Sequence, residues 1–331
     1  MRAPKPGLLR FGTRSSCEPS GRMPTRHLTA STTALLIAPP LFWAGNAVLA
    51  RALVGEFPPL ALSFWRWALA FTLLAPFTAT SLWRHRAVIR SHFRLMLVTS
   101  LLGVGCYNSL QYLALQTSSA VNTTLIGASG PMITLAVGAA FFSSAVARRR
   151  WLGAAVSLAG VLWVIARGEP GNLLTLHFAI GDVIMLTATL AWSLYTWLLQ
   201  TRRPPLPLGA FLTVQFAIGT LMILPFYGLE WLLTRQVPAM TTTNAFALVY
   251  VVLLPSIAAY YCWDRAVLRA GAVLPMYFVN LTPVFAACLS WALLDDPIGP
   301  YHLVGGALIL AGIHLARAPI IFESAQPVRS A

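Results

Sequence analysis

"PPLALSFWRWALAFTLLAPF", residues 58–77, is a run of twenty residues with one charged side chain, Arg66. A helix rises about 1.5 Å per residue, so about twenty residues cover the ~30 Å hydrocarbon core of a bilayer. The run predicts a membrane-crossing helix, and it puts an arginine near the midplane with no acid inside the run to pair with it.

Apolar stretches of this kind recur near residues 33–54, 57–77, 95–115, 119–142, 151–166, 180–199, 208–228, 244–263, 271–294 and 301–318, ten in all. Segments such as "LAGVLWVIA" and "VVLLPSIAA" lack the alternation that transmembrane strands require. The chain is 57% hydrophobic and only 10% charged, where soluble domains average about 25% charged. The expected fold is an all-α integral membrane protein with ten transmembrane helices.

The net charge of +14 does not point to nucleic acid, because the basic residues follow the loops and form no recognition module. With both ends in the cytoplasm, 19 of the 23 basic residues fall on the inner side, among them Arg84, Arg86, Arg90, Arg94 and Arg148, Arg149, Arg150. The outer side keeps only Arg51, Arg167 and Arg235. The positive-inside rule therefore sets both termini in the cytoplasm. Residues 1–31 read as a basic, disordered cytoplasmic tail and 319–331 as a cytoplasmic C-terminal tail. Met23 precedes the first stretch at a more usual distance than Met1, and either is an admissible start. Cys17, Cys106, Cys262 and Cys288 show no paired or metal-like spacing and read as small apolar residues.

The ten stretches form two halves. A shift of 149 lays "LFWAGNAVLAR" (41–51) on "LAWSLYTWLLQ" (190–200), matching Trp43 with Trp192 and Asn46 with Tyr195, and it sets Arg66 on Gln215. A shift of 152 lays "LALQTSSAVNTTLIGASGP" (113–131) on "RAVLRAGAVLPMYFVNLTP" (265–283), matching Pro131 with Pro283. Each half, 32–167 and 168–318, holds five stretches. Five is odd, so the second half enters the membrane from the opposite side, giving a 5+5 inverted repeat. Such halves can exchange conformations and open one central site to either side in turn.

"FWAGNAVLAR", "PPLALSFWRWALA", "GDVIMLTATLAWSLYTWLLQ", "LPSIAAYYCWDRAV" and "LTPVFAACLSWALLDDPIGPYHLVGGALILAGI" occur in that order along the chain. In these pieces the sequence resembles the EamA-type ten-helix permeases of the drug/metabolite transporter superfamily. The resemblance implies export or exchange of a small polar metabolite, an amino acid or a relative, across a bacterial inner membrane, with no cofactor. One departure is visible. Asp296 stands nine residues before Gly305, where such permeases often carry a glutamate, but Ser144 stands nine before Gly153.

Polar side chains inside spans face the bundle or a wet cavity, since lipid cannot satisfy their hydrogen bonds. Trp43 and Asn46 share a face of the first helix, as do Trp192 and Tyr195 of the sixth. Tyr107, Asn108 and Gln111 of the third helix fall at Ala259, Tyr260 and Trp263 of the eighth under the 152 shift. With Arg66, Gln215, Asn122 and Asn280 these are the candidate lining of a solute cavity, while Asn108 and Gln111 serve equally well as interhelical hydrogen-bond partners. Pro131 and Pro283 are expected to kink their helices. Arg66 either binds backbone carbonyls freed at helix breaks or meets the carboxylate of a solute. Asp182 reads as a cap on the start of the sixth helix, with proton handling as its alternative, and Asp264 with Arg265 as a solvated end of the eighth, with pairing to neighbours or gating of the site as theirs.

Other classes fare worse. The six histidines are scattered, with no HExxH pattern and no partner acids at metal-site spacing except Asp295 and Asp296 near His302, and no GxxxxGK[ST] loop is present. That leaves no metal, no enzyme constellation and no ATP hydrolysis. A channel would declare a filter or rings of charge; a non-transporting scaffold is the bland alternative. No Asp or Glu sits at the centre of a stretch as an evident proton carrier, so proton coupling, exchange and facilitated efflux all stay open. A homodimer in the bilayer is admitted.

Overall fold

The structure, a computed structural model, describes residues 28–53, 57–175, 177–236, 241–294 and 297–317. Met23, Cys17, Asp296 and almost all of the two expected tails lie outside the described residues. Among those described, the regular structure is helical throughout. In order, the helices that carry the apolar stretches are α1 (Ala30–Leu53), α2 (Pro59–Arg84), α3 (Phe93–Ala114), α4 (Ala120–Ala128 and Gly130–Phe141) and α5 (Arg148–Ile165). They continue with α6 (Ile180–Arg202), α7 (Leu208–Thr234), α8 (Thr242–Ala270), α9 (Val273–Val279 and Thr282–Leu294) and α10 (Pro300–Ala316).

Each apolar stretch falls on one of these helices. Six, α2, α3, α6, α7, α8 and α9, are long and apolar enough to cross a membrane, and the two halves of α4, bent by 41°, make up to a seventh. The outer surface carries large apolar side chains, such as Phe77 at 85% exposure and Leu303 at 73%. Such exposure suits a hydrocarbon solvent and not water.

The irregularities occur at matched places. α3 widens into a π turn at Leu101–Cys106 and α8 at Val252–Ala258, and the breaks in α4 and α9 lie at Ser129 and at Asn280–Leu281. Adding 152 to 101–106 gives 253–258, and adding it to 129 gives 281. Pro131 and Pro283 each stand second in the resumed helix, where a missing N–H costs nothing. They restart their helices just past the breaks, and at the break before Pro131 α4 bends by 41°.

Two close pairings frame the bundle. α5 and α10 cross with glycines facing backbone: a Cβ on Gly160 would lie 2.7 Å from Gly305 O, and one on Gly153 would lie 2.7 Å from Gly312 O. Under the 152 shift Gly153 falls at Gly305 and Gly160 at Gly312, so each glycine meets the counterpart of the other. α2 packs along α7, with Thr78 hydrogen-bonded to Thr213 at 2.9 Å and Phe64 stacked on Tyr227 at 4.9 Å. Carboxylates cap two helix starts. Glu230 accepts from Leu60 N (3.0 Å) and Ala61 N (2.8 Å) at the head of α2, and Asp182 accepts from Ala179 N (2.8 Å) at the head of α6.

Candidate functional site

The site is built around the two π turns. Pro255 has no N–H, so the carbonyl of Val251 loses its helical donor; the Ser256 hydroxyl supplies one instead at 2.7 Å. The widened turn also turns the Pro255 carbonyl outward, where it accepts from Trp43 Nε1 (3.1 Å) and from Arg66 Nη2 (3.1 Å). Arg66 is buried at 1% exposure. Its Nε donates to Ser256 Oγ at 2.6 Å, and its Nη1 to Asn108 Oδ1 at 2.9 Å and to Tyr112 OH at 3.0 Å. Its guanidinium also lies over the Trp67 ring at 4.8 Å. One planar fork thus ties α2 to α3 and α8 with neutral acceptors alone, which a lysine ammonium cannot reproduce.

Asn108 passes the link on: its Nδ2 donates to Tyr260 OH at 3.1 Å, and Tyr260 OH donates to Gly103 O in the first π turn at 2.6 Å. Beside this network lies a continuous set of rings. Trp192 contacts Trp43 (5.8 Å), Trp263 (5.1 Å), Tyr260 (5.4 Å), Tyr195 (5.2 Å) and Tyr107 (4.9 Å), and Trp67 contacts Phe216 and Tyr260, each at 4.9 Å. The separations and tilts are those of favourable aromatic pairs. Trp43, Arg66, Tyr107, Asn108, Trp192, Tyr195, Tyr260 and Trp263 are therefore gathered at one place, and Gln215 joins them through Tyr195 OH at 3.4 Å. Counterparts under the repeat shifts touch: Trp43 with Trp192, Trp67 with Phe216, and Asn108 with Tyr260.

The family's sequence profile, described as the EamA-like transporter family, matches this chain twice, over residues 31–166 and 179–317. The chain belongs to the EamA-like transporter family. A transporter of Archaeoglobus fulgidus, uncharacterised, is 28% identical over 302 residues, covering 88% of this chain and 99% of that one. A Salmonella typhimurium protein named a probable amino-acid metabolite efflux pump is 26% identical over 191 residues, 55% of this chain and 62% of its own. A crystal structure superposes with a TM-score of 0.71 over 87% of this chain and 96% of that one at 20% identity, which shows a shared fold. The protein is a multi-pass membrane transporter of the cell membrane.

Not every expected lining residue of this transporter reaches the centre. Asn122 lies at the head of α6, where its Nδ2 donates to His177 O (2.9 Å) and Asp182 Oδ2 (3.1 Å), and Ser118 donates to the other Asp182 oxygen. It is a strut of the Asp182 cap, because the start of α4 is held at the α6 terminus. Asn280 sits at the break of α9 and donates to Ser157 Oγ on α5 at 2.9 Å, again away from the rings. Asn46 and Gln111 are half-buried on α1 and α3.

Asp264 is the largest correction. It is not a solvated helix end: α8 runs on through Ala270, and Asp264 is 0% exposed, accepting from Tyr195 OH at 2.8 Å. The sequence offered Arg66 a backbone carbonyl at a helix break without saying which one, and it gave no sign of the Ser256 hydroxyl. Ser256 and the Pro255 carbonyl are the chief ligands of Arg66, and the only local signal was a proline followed by serine in "LLPSIA".

Proposed function

We propose that this transporter exports or exchanges a small polar metabolite, an amino acid or a relative of one, by alternating access. In this reading the spans number ten, arranged as a 5+5 inverted repeat with halves at 32–167 and 168–318 and with both tails in the cytoplasm. The observation that carries it is the meeting of repeat counterparts in the middle of the bundle: Trp43 with Trp192, and Asn108 with Tyr260. Counterparts can touch only near an axis relating the halves, and in inverted-repeat transporters the solute site lies at that interface. The matched π turns and helix breaks support hinges at equivalent places on the two sides. The close packing of Trp43, Trp192, Tyr260 and Trp263 fits a centre that must part to admit a solute. The solute class rests on the name of the Salmonella relative and on a lining of rings, amides and hydroxyls suited to an amphipathic molecule.

The test is reconstitution in liposomes loaded with unlabelled amino acids, followed by counterflow of labelled L-leucine, L-phenylalanine and L-threonine. Saturable counterflow of at least one is expected, and absence of saturable flux for all amino acids and their close relatives would sink the reading. Tags on the two ends, both protected from outside reagents in intact cells, check the topology.

A further inference from the structure

Asp264 is a buried acid that the solute cluster does not use. Its Oδ1 accepts from Tyr195 OH at 2.8 Å, and its Oδ2 has no hydrogen-bond partner among the described residues. Two polar groups of its neighbours are left in the same condition, Gln215 Nε2 and Trp263 Nε1. No cation stands within ion-pair distance of it among the described residues. The titratable and charged groups that act on it are Tyr195 from α6 and Arg203 just beyond the end of α6, with Tyr260 on its own helix. Arg66 acts on that same Tyr260 from the other side, and Arg265 follows Asp264 in sequence. α1 between Ala30 and Asn46 and α7 between Leu208 and Leu224 contain no titratable residue. A carboxylate held in a bundle without a counter-ion costs several kcal/mol to keep charged, and taking up a proton removes that cost.

Access is provided for. Arg203, half-buried with its Nε unpartnered, lines a cavity of about 350 Å³ together with Arg265 and Arg269. Arg203 acts electrostatically on Asp264. Leu268, which also lines the cavity, stands one turn beyond Asp264 on the same face of α8, and Arg203 favours the charged form of the carboxylate whenever α6 and α8 part.

We infer that Asp264 is the proton-coupling group of the transporter: its carboxyl group loses a proton when the Arg203–Arg265 cavity opens onto it and takes one up when the bundle closes over it. Ionised, it is met by Arg203 and water; neutral, it is buried beneath Tyr195. The proton comes from and returns to bulk water, so the step needs no other reactant. Tyr195 is a positioning residue, because its hydroxyl orients the carboxyl group and its ring lies against Gly103 of the π turn, which a Cβ would meet at 3.0 Å. Closure of that turn and the charge on Asp264 are thereby linked.

This rests on the transport reading above, so the experiment separates the two. The full chain and its Asp264→Asn and Asp264→Glu variants are reconstituted, and infrared absorbance of protonated carboxyl groups is followed with pH in the absence of any solute. Against the titration of the other carboxyl groups, which all three proteins share, one further titrating component is expected in the wild type and in Asp264→Glu and is expected to be missing from Asp264→Asn. Flux of labelled L-leucine, L-phenylalanine and L-threonine is then driven by an imposed pH gradient and compared with counterflow without one. The gradient is expected to accelerate wild-type flux several-fold and to leave Asp264→Asn unmoved while its counterflow persists, with Asp264→Glu restoring the response. An identical infrared titration in Asp264→Asn, or an unchanged gradient response, overturns the proposal. Loss of counterflow together with the gradient response, with no wild-type carboxyl component missing from Asp264→Asn, also overturns it and makes the acid a ligand for an amino group of the solute. Should no amino acid be moved at all, the infrared arm still decides whether Asp264 takes up a proton.

Discussion

Asn108 and Tyr260 stand 152 residues apart and hydrogen-bond to one another, Nδ2 to OH at 3.1 Å, in the middle of the bundle. The same interval superposes their two helices in the repeat, so each residue meets its own counterpart. Through this bond Arg66, anchored on Asn108, is joined to the Gly103 carbonyl in the π turn of α3. The two half-chains are thus held together at their irregular turns, the places where a helix changes shape at least cost.

Arg66→Gln is expected to lower stability by about 3 kcal/mol and to abolish transport, because Ser256, Asn108 and the Pro255 carbonyl lose charge-assisted donors together. Arg66→Lys keeps the charge but can serve fewer of these acceptors in one plane, and it is expected to transport poorly. Thermal unfolding in detergent and counterflow check both. Normal transport by Arg66→Lys would show that charge alone is needed.

Trp192 touches five other rings, and Trp192→Ala is expected to cost about 3–5 kcal/mol by leaving a cavity in the centre. Trp192→Phe keeps most of the ring contacts and is expected to fold normally while changing the order of preference among solutes. Competition by unlabelled amino acids in the counterflow assay reads the change.

At the crossing of α5 and α10, Gly160→Ala is expected to destabilise by about 1–3 kcal/mol, since its Cβ would lie 2.7 Å from Gly305 O and 2.9 Å from Ile309 N. Gly171→Ala, which meets nothing within 4 Å, is the matched control and is expected to be neutral. Melting temperatures of the two variants in the same detergent decide the matter.

Asp182→Ala removes the acceptor for Ala179 N, Ser118 and Asn122 at the start of α6. It is expected to cost about 1–2 kcal/mol and to slow no step of transport in the protein that remains folded. Glu230→Ala, which uncaps Leu60 and Ala61 at the start of α2, is expected to behave alike. Melting curves and counterflow per folded molecule check both.

Much of this was legible in the chain. Apolar run length predicts helices of bilayer-spanning length because a lipid-facing backbone must satisfy its own hydrogen bonds, and the 149 shift marks Trp43 and Trp192 as counterparts, while their contact is a property of the tertiary structure. The candidate cluster was legible in part: the repeat counterparts Trp43 and Trp192, and Asn108 and Tyr260, lie together, while Asn46 and Gln111 stay half-buried on their own helices. Asn122 and Asn280 were misplaced because a polar residue near a helix break is equally served by a neighbouring helix end, and local sequence cannot say which. Pro255 and Ser256 announced a break without saying what would use it.

The amino-acid sequence by itself determined a helical, membrane-embedded chain with two similar halves and an inward-facing arginine with either backbone carbonyls or a solute carboxylate for a partner, because run length, composition and internal likeness are properties of the chain alone. Only the tertiary structure decided that those partners are Asn108, Tyr112, Ser256 and the Pro255 carbonyl. It alone decided, too, that Asp264 lies under Tyr195 and not in water. Burial of a polar group is set by side chains arriving from distant segments, and Tyr195 lies 69 residues from the acid it covers.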